Sequence, residues 1–130
     1  MSLFPALPEA REAQFEWFHA LAHSLKAGTC GPVPASVRSD MLRFTSQNLP
    51  GEAFPDTSDE QSFIDAVQRL RSNEVAWNKA LQAAIVDACE KAEAGARKTA
   101  AEDLERLAST CPWELFAAVA RDQAICFTAK

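Results

Sequence analysis

The chain has 130 residues, 48% hydrophobic and 24% charged, with a net charge of -5. A chain of this length fits one domain that hides about two-thirds of its unfolded surface, and its composition is neither that of a disordered segment nor that of a membrane protein. Residues 1–60 hold eight acids against four bases and residues 61–130 ten against nine, with no basic cluster, so nucleic-acid binding, which needs a positive stripe to displace counterions from phosphates, is disfavoured.

No apolar run reaches the roughly 18 residues of a spanning helix. Met1 to Arg11 lacks a basic segment followed by an apolar one, so a cytoplasmic location is expected. In that compartment the four cysteines, Cys30, Cys89, Cys111 and Cys126, which form no CxxC pair, are expected to be free and mostly buried thiols.

Leu3, Phe4 and Leu7 precede Pro8 and are expected to lie as an arm against the body. A first helix is predicted over 9–27, started at Pro8 and stopped at Gly28. At 100° per residue Phe15, Trp17, Phe18, Leu21, Ala22 and Leu25 fall on one arc, the predicted core face. Glu12, Glu16, His19 and His23 fall together on the other side. Glu16-x-x-His19 has the spacing of di-iron bundle ligands, and His19-x-x-x-His23 lets two imidazoles reach one metal. These residues point away from the aromatic arc, however, no second Glu-x-x-His occurs, and Ala20 stands where a zincin has its glutamate. A solvated or partner-facing surface is the expectation for this face, with Glu16, His19 and His23 as the candidate metal ligands.

Gly28 to Pro34 reads as a loop, in which Cys30 has none of the nearby bases that a catalytic thiol needs. A second helix over 34–49 presents Val37, Met41, Phe44 and Asn48 on one side and ends at Pro50-Gly51. Phe54 is expected to be a cover residue. A third helix over 58–71 begins at two overlapping capping boxes, Thr57-x-x-Glu60 and Ser58-x-x-Gln61, and buries Phe63, Ile64, Val67 and Leu70.

From Asn73 to Thr110 the chain lacks proline and is rich in alanine, which predicts a long fourth helix over 73–109. Its apolar positions, Leu81, Ile85, Ala88, Ala92, Ala96, Ala100, Leu104 and Leu107, recur at a mean step of roughly 3.7, the period of a packed straight helix and not of a heptad zipper. The stripe is so small between Cys89 and Leu104 that a neighbouring backbone must come close, or the section is solvated. Glu93 with Arg97 and Glu102 with Arg106 are spaced for ion pairs. A continuous helix of this length, about 55 Å, exceeds the diameter of the domain, so it must project, bend at Gly95 or pair with a second copy. Pro112 and Glu114 open a last helix over 112–127 with a wide apolar arc. That arc makes Trp113, Phe116, Gln123 and Phe127 the candidates for an interface, with Trp17, Trp77 and Trp113 as core anchors.

The run from Val75 to Ala124, with Ala92-Glu93-Ala94-Gly95-Ala96-Arg97 and then Cys111-Pro112-Trp113-Glu114-Leu115, resembles the C-terminal half of phasins, proteins that coat polyester storage granules. The resemblance covers less than half of the chain and implies a non-enzymatic role at a granule surface, where amphipathic helices adsorb to polymer. The residues themselves predict an all-α single domain over 1–130, a compact bundle of about five helices. Without a phosphate loop or nucleophile elbow, it is expected to bind no cofactor and to act by contact with a protein partner or a second copy, as an immunity protein, inhibitor, chaperone or adaptor. The alternatives are the phasin-like role and a metal-dependent enzyme or sensor at Glu16, His19 and His23.

Overall fold

The computed structural model describes residues 4–28, 32–55 and 59–128. They form α1 (Arg11–Ala27), α2 (Ala35–Asn48), α3 (Glu60–Glu93), α4 (Arg97–Thr110) and α5 (Glu114–Thr128). No strand occurs among the described residues, so the all-α, five-helix expectation holds. The helices at 58–71 and 73–109 are divided differently from the prediction. Ser72 and Asn73 lie inside α3, since each costs under about 1 kcal/mol in a helix interior. The break falls at Gly95, with φ 93°. Its N–H donates to Ala92 O at 3.1 Å and that of Ala96 to Lys91 O at 2.8 Å, the paired bonds of a Schellman ending. The long alanine-rich stretch therefore bends.

Contacts gather into two compact units, Met1–Asn73 and Glu74–Lys130, whose boundary lies within α3. In the first, Phe15, Trp17, Phe18, Leu21, Ala22 and Leu25 of α1 are all buried, with Val37, Met41 and Phe44 of α2 and Phe63, Ala66 and Val67 of α3. Phe18 stacks on Phe44 at 4.7 Å between centroids, and Phe15 meets Phe44 edge-on at 5.6 Å. Such ring pairs add about 0.5–1.5 kcal/mol to the area they bury. Gln68 Nε2 donates to Ala22 O at 2.8 Å, tying α3 to α1. Ile64 and Leu70, expected in the core, are half-buried; Ala66 is buried in their place. Phe54 covers Phe63 edge-on at 5.8 Å. Of the predicted capping boxes, Thr57 and Ser58 lie outside the described residues. The cap that is seen is Asp59, whose Oδ1 accepts the Ser62 N–H at 2.8 Å, while Glu60 Oε1 accepts the N–H of Val33 at 2.6 Å.

The second unit is built on small side chains. Ala88 of α3, Ala100, Ala101 and Leu104 of α4 and Ala124 of α5 form its buried cluster, with Ala84, Ile85 and Phe127 packed on it. Alanine at these positions lets helix backbones approach closely, which is how the small stripe is buried. Leu81 is buried as expected, whereas Ala92, Ala96 and Leu107 are half-buried. The bend redirects the expected ion pairs. Arg97 turns to the end of α5, donating to Cys126 O at 3.0 Å and Phe127 O at 3.1 Å, a cation at a helix C-terminus that offsets its dipole. Arg106 pairs with Asp103 at 3.3 Å. Lys91 binds both Asp87, at 3.1 Å, and Asp103 across the turn. α4 and α5 thus run antiparallel, with Trp113 fully buried near their junction.

Candidate functional site

The outer face of α1 is laid out as its periodicity predicts, with Glu12, Glu16 and His23 exposed and His19 half-buried. His19 lies against its own helix: its ring is 6.3 Å from that of Phe15 and 6.1 Å from that of Phe18. Among the described residues no three His, Cys, Asp or Glu side chains are grouped so as to hold a metal ion.

Two of the cysteines depart from the expected burial. Cys89 and Cys126 are exposed because each lies off the inward stripe that Ala88 and Ala124 define. Cys111 is half-buried; its Sγ donates to Trp113 O at 3.7 Å, and burial raises its thiol above the usual range, which disfavours the thiolate. Cys30 lies outside the described residues. Trp77, expected as a core anchor, is only half-buried.

The four interface candidates on and before α5 are distributed unevenly. Trp113 and Phe116 are buried, their rings 6.0 Å apart, and belong to the core of their unit. Gln123 and Phe127 are half-buried, with the Arg97 guanidinium 5.9 Å above the Phe127 ring.

What α5 turns outward is Ile125, 62% exposed. It lies one turn beyond Arg121 on a face that, with Glu105, Ala108 and Ser109 of α4, lines an open groove. Arg121 is held on this rim by Glu114, two turns earlier, at 3.1 Å. The groove thus joins two apolar side chains, Ala108 and Ile125, to a carboxylate, a hydroxyl and a guanidinium. The hydroxyl of Ser109 donates to the backbone carbonyl of Glu105 at 3.0 Å. Sequence reasoning missed Ile125 because it sought the apolar arc itself; the available signal was the opposite one, an aliphatic residue stranded beside Arg121 and Asp122, outside the buried arc. Comparison of the chain with family models, with characterised proteins and with solved structures finds no match to any of them.

Proposed function

We propose that this chain is a non-catalytic binding protein of the inhibitor, immunity, chaperone or adaptor type, which engages a protein partner through the α4–α5 groove. The observation that carries the reading is Ile125, a large apolar side chain 62% exposed on a helix that buries Phe116, Ala117, Ala120 and Ala124. Completing the burial of a side chain already partly covered stabilises a complex by about 1–2 kcal/mol. The net charge of -5 suits a basic partner, whose encounter it would accelerate at low salt. Tagged wild-type chain and its Ile125→Asp variant, each expressed in the native host and captured, test the reading. A protein recovered in stoichiometric amount with the wild type and depleted at least tenfold with the variant is expected. Equal recovery, or a bare monomer from both, contradicts it.

One further observation favours the granule-surface reading as the second choice. Val86, 58% exposed, joins Ile125 in leaving a large apolar side chain outside the helices of the second unit, and adsorption to polymer uses such outward apolar groups. Sedimentation with polyester particles, reduced in Val86→Asp and Ile125→Asp, is the expected outcome of that reading. Sedimentation unchanged by either substitution contradicts it.

A further inference from the structure

Residues 5–8, Pro5-Ala6-Leu7-Pro8, form a strap without helix or turn before α1, and side chains of α1 and α2 bond to the backbone of Pro5, Leu7 and Pro8. Trp17 Nε1 donates to Pro5 O at 2.9 Å. Asp40 Oδ2 accepts the N–H of Leu7 at 3.1 Å, and Arg43 donates to the carbonyl of the same residue at 3.2 Å. Gln14 Nε2 donates to Pro8 O at 2.9 Å. Asp40 and Arg43, themselves paired at 3.4 Å, thus grip both polar groups of one peptide residue, while the Leu7 side chain is buried. This is the way a receptor reads an extended ligand: main-chain bonds hold the strand and one side-chain pocket selects the residue. The strap also underfills its seat. A cavity of about 40 Å³ remains between Phe4, Pro5, Trp17, Leu21, Ser24 and Val37, enough for a water molecule or a small apolar group.

We propose that the α1–α2 surface around Trp17, Asp40 and Arg43 is a docking site for an extended Pro-x-Leu-Pro segment of another protein, occupied in the free chain by residues 5–8 as an internal pseudo-ligand. The chemistry of the partner is read from the occupant. A leucine fills the pocket, the flanking prolines pre-set the extended backbone and lose little entropy on docking, and a larger group beside the first proline fills the remaining cavity. The strap is joined to α1 by Glu9 and Ala10 alone, so its effective concentration is on the order of millimolar or above, and it screens the site against weak competitors. This site goes beyond the contact surface at Ile125 and shares no residue with it.

The test uses the full chain and a fluorescent peptide, Phe-Pro-Ala-Leu-Pro-Glu, followed by anisotropy. The Leu7→Asp chain, with its strap disabled and its groove intact, is expected to bind the peptide saturably and at least tenfold more tightly than wild type. Adding Asp40→Ala or Trp17→Phe should remove that binding, Ile125→Asp should leave it unchanged, and a peptide with aspartate in place of leucine should not bind. Should Leu7→Asp lose its helical circular dichroism, Leu7→Ala serves as the second variant with the same expected order. No gain of binding in a folded Leu7 variant overturns the proposal. So does a concentration-dependent dimer of the wild type that Leu7→Asp abolishes, since the occupant would then be a second copy. Loss of peptide binding with retained capture by the Ile125 face separates a failure of this site from a failure of the proposed function.

Discussion

Asn48 shows how one polar residue fixes the packing of the first unit. It is fully buried, and its Nδ2 donates to Gln14 Oε1 and to Phe44 O, both at 2.9 Å. Gln14 in turn donates to Gln47 Oε1 at 2.8 Å, so α1 and α2 are locked in register by amides as well as by rings. Asn48→Ala strips Gln14 Oε1 of this donor and opens a void. Urea unfolding is expected to show a loss of about 1–3 kcal/mol, and a change inside the error of the measurement would contradict the network. In the second unit the contact between Lys91 and Asp103 gives a pH dependence of defined sign. The hydrogen bond from Lys91 holds the Asp103 carboxyl below the usual carboxylate range, and the same bond raises the Lys91 ammonium above the usual lysine range. The Asp103 contribution to stability is therefore complete above about pH 4 and fades as pH falls through the lowered value. That of Lys91 is complete below the usual lysine value and fades as pH rises through the raised one. Melting temperatures of wild type and Asp103→Asn should differ at pH 7 and converge toward pH 3. A difference that stays constant over that range would contradict the pairing.

At the scale of elements, Gly95 is the position on which the architecture of the second unit turns. A Cβ there would meet nothing within 4 Å, so glycine is required by its φ of 93° and not by crowding. Gly95→Ala should cost about 1–2 kcal/mol from left-handed backbone strain. Gly51→Ala, also with no neighbour within 4 Å and with no left-handed φ, should be near neutral. Thermal unfolding of the pair checks this, and equal melting temperatures would remove the role assigned to the turn. The helices themselves were legible from spacing: Val37, Met41, Phe44 and Asn48 line up at steps of 3 and 4, and all are buried. The division of α3 from α4 was not, because alanine, glutamate and lysine favour helix on both sides of Gly95. What decides it is the antiparallel closure of Ala88 onto Ala100, Ala101 and Leu104, a long-range gain that local propensity does not encode. The Asp59 cap escaped because several capping residues, Asp56, Thr57, Ser58 and Asp59, stand in a row in the sequence, and spacing alone does not choose among them.

For the whole molecule, the turn at Gly95 ends α3 at Glu93, yet by starting at Glu60 that helix still runs about 51 Å, close to the length read from the sequence. The surface then has to be read from what the helices leave uncovered. Sequence periodicity located the buried arc of α5 but assigned contact to Trp113 and Phe116, which the unit uses for its own core; hydrophobicity alone cannot tell a residue covered by its neighbours from one left outside. Ile125 becomes visible only once α4 is seen to line the groove without closing over it. No helix among the described residues is long and apolar enough to cross a membrane. The central claim, that the chain works by contact at the α4–α5 groove, is tested most directly by calorimetric titration of the captured partner into wild type and Ile125→Asp at matched melting temperature. At least a tenfold weaker association for the variant is predicted. The same dissociation constant for both chains would contradict the claim.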